Sequence, residues 1–314
     1  MKKYNFVTQP VITTTYAGEL AQAYISAAVL SGKTLSEGLI EIKENVKYKG
    51  VLKTLASENL ITPDFTIDDE TVTLAERIIE PQNLMVNLQL CKQPFREDWE
   101  AAQTGGLRVD AQIPPNFETW LLLHVAGKIA ADVELNIWQG DKTSGGTYAS
   151  FDGFYQISQV GTFVPVAQNI ADVTDDPLDP ADVLLCLEKV KAALPPQLLF
   201  HPDLRLYVSP GIASAYIHAL GANNYQYQAF VGVKPLNYDG IQMEIANGME
   251  SKSMICTLRT NLFFGTNLTA DLNEAKVLDM SNLDGSDNVR VVYRFTGGCQ
   301  IAIGEDVVAY KSTA

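Results

Sequence analysis

The sequence predicts an α+β fold. Three observations predict it: one long amphipathic helix in the first half, β-rich segments before it and towards the end of the chain, and no regular βαβα alternation of the kind that winds a parallel sheet. The chain has 314 residues, 46% of them hydrophobic and 19% charged. That composition supports a real core in one large domain or two modest ones.

The elements follow in chain order. Residues 1–16 read as an extended arm, β-branched from Thr8 to Thr15 and carrying Pro10. An arm has no core of its own and frays or lies on a neighbour. Residues 17–32 read as a short helix, with Leu20, Tyr24, Ala27 and Ala28 at helical spacing and Gly32 as the stop. Residues 39–42 and 46–55 have strand composition. Leu84, Val86, Leu88 and Leu90 alternate with Met85, Asn87, Gln89 and Cys91, the period of a strand with one buried face. Between these strands lies an acidic stretch with a proline, residues 62–80. The segment therefore reads as two long strands joined by a wide turn, a ribbon that needs something to lie against.

Residues 116–138 give the strongest helix. Pro114 and Pro115 precede it, Asn116 caps it, and Glu118 sits in the first turn, where the helix dipole favours an acid. Phe117, Trp120, Leu121, Val125, Ile129, Val133 and Ile137 run along it for roughly 34 Å. Its charged residues (Glu118, Lys128, Asp132, Glu134), with His124, exclude a membrane span. A glycine-rich stretch, 139–165, follows. Asp179 and Pro180 open a helix over 180–194, with Val183, Leu187, Val190 and Leu194 on one face. A strand over 204–208 leads into Ser209-Pro210 and a third helix through Leu220, closed by Gly221. The rest is mostly β.

Charge and motifs narrow the function. Acidic residues number 37 and basic ones 23, a net charge of −14. Tight nucleic-acid binding comes mainly from Lys and Arg, so an acidic chain is a poor candidate for it. Lys43, Lys47, Lys49 and Lys53, interrupted by Glu41 and Glu44, read as a solvated strand face. Cys91, Cys186, Cys256 and Cys299 are far apart in apolar stretches, which predicts buried free thiols and a reducing compartment. Met1-Lys2-Lys3 precedes no apolar segment, so a signal peptide is not expected. No Walker, Rossmann, zincin or nucleophile-elbow motif is present. His124 reads as a core or groove histidine, and no two of His124, His201 and His218 have metal-ligand spacing. The acidic run Asp172, Asp175, Asp176, Asp179 and Asp182 is the best metal candidate, yet it lacks the spacing of a calcium loop and reads as helix capping in a solvated loop. No catalytic, cofactor-binding or metal residue is assigned, and no cofactor is expected.

The order of parts resembles the major capsid protein of tailed bacteriophages, the Hong Kong 97-type fold. Glu134-Leu135-Asn136-Ile137-Trp138-Gln139-Gly140-Asp141, then Phe151-Asp152-Gly153-Phe154, is similar to that family's exit from the spine helix. Leu206-Tyr207-Val208-Ser209-Pro210 resembles its strand into a Ser-Pro helix. Residues 289–295 and on to Tyr310 resemble its closing strands. The resemblance implies an N-arm over 1–36, an extended β-ribbon or E-loop over 37–100 and a peripheral domain over 101–179 with the spine helix at 114–139. It implies an axial domain over 180–285 and return strands over 286–314. It also implies a non-enzymatic subunit that self-assembles into hexamers and pentamers of an icosahedral phage head, contacts packaged DNA weakly and touches no membrane. Its setting would be the virion, and the host cytoplasm during assembly, with portal, scaffolding and decoration proteins as partners. Lys43, Lys47, Lys49 and Lys53 are expected to meet acidic residues of a neighbour, among them Asp68, Asp69, Glu70 and Glu76. Two other readings stand beside this one: an encapsulin-type nanocompartment shell with the same fold, and an α+β hydrolase.

Overall fold

The computed structural model describes residues 15–17, 32–57, 72–91, 117–159, 163–222, 236–267, 274–282, 285–286 and 288–313. The chain divides into two compact units: residues 1–31, 83–130 and 267–296, and residues 32–82, 131–266 and 297–314. One helix, α2 (Phe117–Gln139), and two strands, β5 (Gln82–Cys91) and β13 (Asn288–Ile301), contribute residues to both.

In the first unit β1 (Thr15–Ala17) pairs antiparallel with β12 (Glu274–Asp279), and β12 with the first half of β13. Buried residues face each other across the ladder: Ala275 opposite Tyr293 and Val277 opposite Val291. Such pairs are the units that hold a sheet face together. Helix α2 buries Leu121, Leu122, Val125, Ala126 and Ile129 and turns Leu123, His124, Gly127 and Lys128 outward. That is the three-and-four spacing of one apolar stripe. The buried Tyr293 hydroxyl donates to the Leu122 carbonyl at 2.7 Å, which ties strand to helix. His124, expected in a core or groove, is on the exposed side because it falls between the buried Leu121–Leu122 and Val125–Ala126 pairs.

The second unit is built on a six-stranded mixed sheet. Its order is β6 (Asn169–Asp172), β14 (Val308–Ser312), β10 (Ser253–Leu258), β7 (Leu204–Val208), β9 (Ile241–Ile245), β8 (Leu236–Tyr238). Helices α4 (Val183–Ala192) and α5 (Pro210–Ala222) share one buried cluster with Leu204, Leu206 and Val208 of β7. Tyr207 points the other way. Its ring lies 5.2 Å from that of Trp138, and its hydroxyl donates to the Leu39 carbonyl at 2.6 Å. The central strand is thus covered on both faces, which explains its nearly unbroken apolar run. Strands of this sheet come from either side of the sequence boundaries at 179/180 and 285/286.

A smaller ladder in the same unit places β11 (Leu262–Gly265) between the second half of β13 and β2 (Glu41–Lys43). A separate two-stranded ribbon pairs β3 (Gly50–Ser57) with β4 (Val72–Ile79), Gly50 opposite Ile79 through Ser57 opposite Val72. The sequence places the returning strand at 84–90 and reads 62–80 as turn; the structure corrects this. The acidic stretch contains a strand, Val72–Ile79, whose alternation is masked by Glu76 and Arg77. Pro81, which has no N–H to donate, separates it from β5 (Gln82–Cys91), and β5 pairs with β13 instead.

Other expectations shift at the ends. Ala17 lies in β1 rather than in a helix, and 18–31 fall outside the described residues. The helix expected at 180–194 spans Val183–Ala192, because residues 179–182 form a turn closed by Asp182 N–H on the Asp179 carbonyl. Gly221 does not end α5, which continues to Ala222. Ser209 does cap it: its Oγ accepts from the Ile212 amide and donates to the Ser251 carbonyl at 2.6 Å.

Candidate assembly surfaces

The exit of α2 is a tightly constrained point of the second unit. Glu134 is buried, and its carboxylate accepts hydrogen bonds from the Thr34 amide at 3.0 Å and from the Thr34 hydroxyl. The Trp138 indole donates to that same hydroxyl at 2.9 Å. This fixes α1 (Lys33–Ser36), and with it the start of the segment leading to the ribbon. Beyond the helix, the Gly140 amide continues the helical ladder to the Asn136 carbonyl, and the Gly140 carbonyl accepts from Gly153 N–H at 2.8 Å. A Cβ on Gly140 would lie 2.2 Å from the Phe151 carbonyl oxygen, and one on Gly153 2.6 Å from that of Asn136. The motif Glu134…Gly140…Gly153 is therefore one backbone junction. Two strands of chain approach too closely for any side chain there.

The acidic run is also structural. Asp172 is buried, not solvated. Its carboxylate meets the Lys189 ammonium, the Tyr310 hydroxyl at 3.0 Å and the amide and hydroxyl of Thr174. Lys189 reaches Asp175 as well, at 2.7 Å. Asp172, Asp175 and Cys186 are the one grouping among the described residues with metal-ligand spacing, and Lys189 already bonds to both carboxylates. Asp176 accepts from Lys252, and Asp179 caps its own turn through Ala181 N–H. Burial raises the Cys186 thiol, which keeps it protonated.

This network has a pH signature. Burial alone would raise the Asp172 carboxyl; the hydrogen bonds from Lys189, Thr174 and Tyr310 outweigh it and hold it well below the usual carboxylate range. A depressed carboxyl contributes stability that is complete above its unfolded value, about 4, and lost as pH falls through its folded value. Lys189 is raised, so its contribution is complete below about 10 and is lost only at still higher pH. Thermal melts of wild type and Asp172→Asn should therefore differ most between about pH 5 and 9 and converge towards pH 2. A gap that stays constant down to pH 2 would rule out the carboxylate as its source.

The ribbon supplies the exposed surface. Residues directly opposite share a face of an antiparallel pair. On the inward face Ile79 and Leu52 are buried. On the outward face Val51 and Ile78 lie opposite each other, 42% and 48% exposed, and Lys53 lies opposite Glu76. A loop over residues 45–49 stands at the ribbon's root. Val46 anchors it in the core, Asn45 has a positive φ of 61°, and Tyr48 is 81% exposed. Beside the ribbon, a hollow of about 320 Å³ is lined by Val51, Leu52, Leu258, Phe263, Ile303 and Asp306 among others. The ribbon's base is held by Arg77 over the Phe163 ring and by Gln300 donating to the Ile78 carbonyl.

Of the residues singled out from the sequence, Lys53 and Glu76 fall on this ribbon, Lys47 and Lys49 at its root, and Lys43 on β2. Lys49 pairs with Glu80 at 3.6 Å and Lys53 with Glu76 at 3.9 Å, within the chain. Lys43 donates to the Val51 carbonyl, and Lys47 is exposed. Asp68, Asp69 and Glu70 lie outside the described residues. Lys49 and Lys53 thus meet acidic residues of their own chain, Lys53 across the two strands of the ribbon. Exposed pairs of this kind are worth only about 0–1 kcal/mol each. Sequence reasoning missed the Val51–Ile78 pair, because its second member sits in the stretch read as turn. It also placed Cys91 in a core; β5 turns Cys91 to solvent, on the side opposite Leu90.

No family model matches the chain, and no curated protein matches it in sequence. Solved structures do match. A chain of the satellite phage P4 procapsid that includes the size-determination protein is 12% identical at a TM-score of 0.59, covering 93% of this chain and 99% of that one. A chain of the native GTA particle capsid is 12% identical at 0.59, covering 100% and 95%. A chain from Mycobacterium phage Bobi is 13% identical at 0.53, covering 100% and 96%. At such identities the likeness is one of fold. The chain has a mixed helix-and-strand phage-capsid fold, the Hong Kong 97 type that its sequence resembles.

Proposed function

We propose that this chain is a major capsid protein that assembles, as hexamers and pentamers, the icosahedral head of a tailed phage around double-stranded DNA. The supporting observation is the fold likeness, which runs over nearly the whole length of this chain and of the capsid chains alike. The role is structural, not enzymatic. Residues 37–100, which include the β3–β4 ribbon, act as the E-loop, α2 as the spine helix, and residues 1–36 as the N-arm. The peripheral domain is 101–179 with the return strands 286–314, and the axial domain is 180–285. The subunit works in the virion after assembly in the host cytoplasm, alongside portal, scaffolding and decoration proteins. Its charge of −14 suits a wall that encloses DNA without gripping it. No helix among the described residues is long and apolar enough to cross a membrane.

The ribbon's outward face gives the test. An isolated two-stranded ribbon is marginal in water, and an exposed Val–Ile pair on it is a natural contact for a second copy. The chain expressed alone, or with a scaffolding protein, is expected to give rings or shells by size-exclusion chromatography and negative-stain microscopy. Val51→Asp with Ile78→Asp should keep the subunit's unfolding midpoint within a few degrees yet prevent shells. A wild-type chain that stays monomeric in both conditions removes the proposal; shells from the double variant remove only the role of this face.

A further inference from the structure

Residues 198–201 form a turn closed by His201 N–H on the Leu198 carbonyl at 3.0 Å. Its third residue, Phe200, has a φ of +65°, and none of the other three has a positive φ. That is a type II turn, whose third position takes glycine or asparagine because an ordinary side chain is strained there. A bulky residue in that position is an outlier. Strain of this kind persists only where surrounding contacts hold it. Among the described residues they are few: two ring carbons come near Gly240, 3.7 Å from where its Cβ would stand, and Phe200 remains 79% exposed.

We infer that Phe200 is an aromatic anchor that inserts into a second copy of this chain, a contact that rests on the shell reading above. The shell reading makes a second copy the occupant, and charge limits where two copies can meet. Two subunits of net charge −14 repel each other except where apolar or neutralised surfaces meet. One carboxylate beside Phe200 is neutralised: Asp239, next to Gly240, is paired with Lys191. An exposed ring on such a patch has the character of an interface anchor. In a closed ring every copy presents it at the same place, so one contact repeats around the assembly.

The test compares wild type with Phe200→Gly and Phe200→Asn, both of which accept a positive φ. Unassembled subunits of both variants should melt at or above the wild-type midpoint. The concentration needed for half-assembly, followed by light scattering, should rise on the order of tenfold. Variants that assemble at wild-type concentration overturn the contact. So do variants whose melting midpoint falls, since the ring would then be holding the fold. A wild-type chain that forms no assembly removes the shell reading and this contact with it.

Discussion

Replacing Gly140 by alanine is expected to deprive the chain of a stable subunit. The new Cβ would stand 2.2 Å from the Phe151 carbonyl oxygen and 2.5 Å from that of Asn136. Both are backbone atoms, and both sit in a junction closed by hydrogen bonds, so no side chain can move aside. Relief requires separating the end of α2 from residues 151–153. The expected loss is about 4 kcal/mol or more, a large share of the ~5–15 kcal/mol that holds a typical domain. Gly127→Ala is the control. Gly127 is in the same helix, exposed, with open space where its Cβ would go. There alanine should stabilise by ~0.5–1 kcal/mol, because glycine is a poor helix former. Denaturant titrations of the two variants should move in opposite directions. Equal midpoints would mean that the junction relaxes easily, and the account of the helix exit would be wrong.

Removing the Glu134 carboxylate is expected to have the next largest effect. Glu134→Ala leaves the buried Thr34 amide without its acceptor and the Thr34 hydroxyl without one of its two partners. An abandoned buried donor costs ~1–3 kcal/mol, and the lost side chain adds packing, so about 3 kcal/mol is expected. Thr34→Ala removes the hydroxyl from the other side. Because the two act as one unit, the double variant should cost about 1–2 kcal/mol less than the sum of the singles. Strict additivity would show that Glu134 and Thr34 do not cooperate.

Much of this architecture was legible in the sequence where the signal is local. The long helix announced itself through its apolar stripe and flanking prolines, and Ser209-Pro210 through capping chemistry. The Glu134–Gly140–Gly153 motif was visible as a pattern, but its reason is a close approach of backbones that no spacing reveals. Pairing was the least legible property. Val72–Ile79 was hidden by its charges, and the match of Asn169 with Ala309 depends on chain contacts without a local code. The surface was half legible. Lys49 and Lys53 stand out in the sequence, yet their intrachain partners Glu80 and Glu76 depend on the correct return strand. Phe200 gave no sign at all, since a positive φ leaves no trace when the residue is not glycine.

The mixed sheet of the second unit also sets a timetable for biosynthesis. Among the described residues β6 has one strand neighbour, β14, and Asp172 meets Tyr310 across 138 positions of sequence. At ~5–20 residues per second, a ribosome takes roughly 7–30 s to supply that partner. Throughout that interval Asp172 lacks the tyrosine, and β10 lacks its outer neighbour. The nascent chain therefore cannot complete this sheet until β14 has emerged, and so many non-local pairings make closure slow even then.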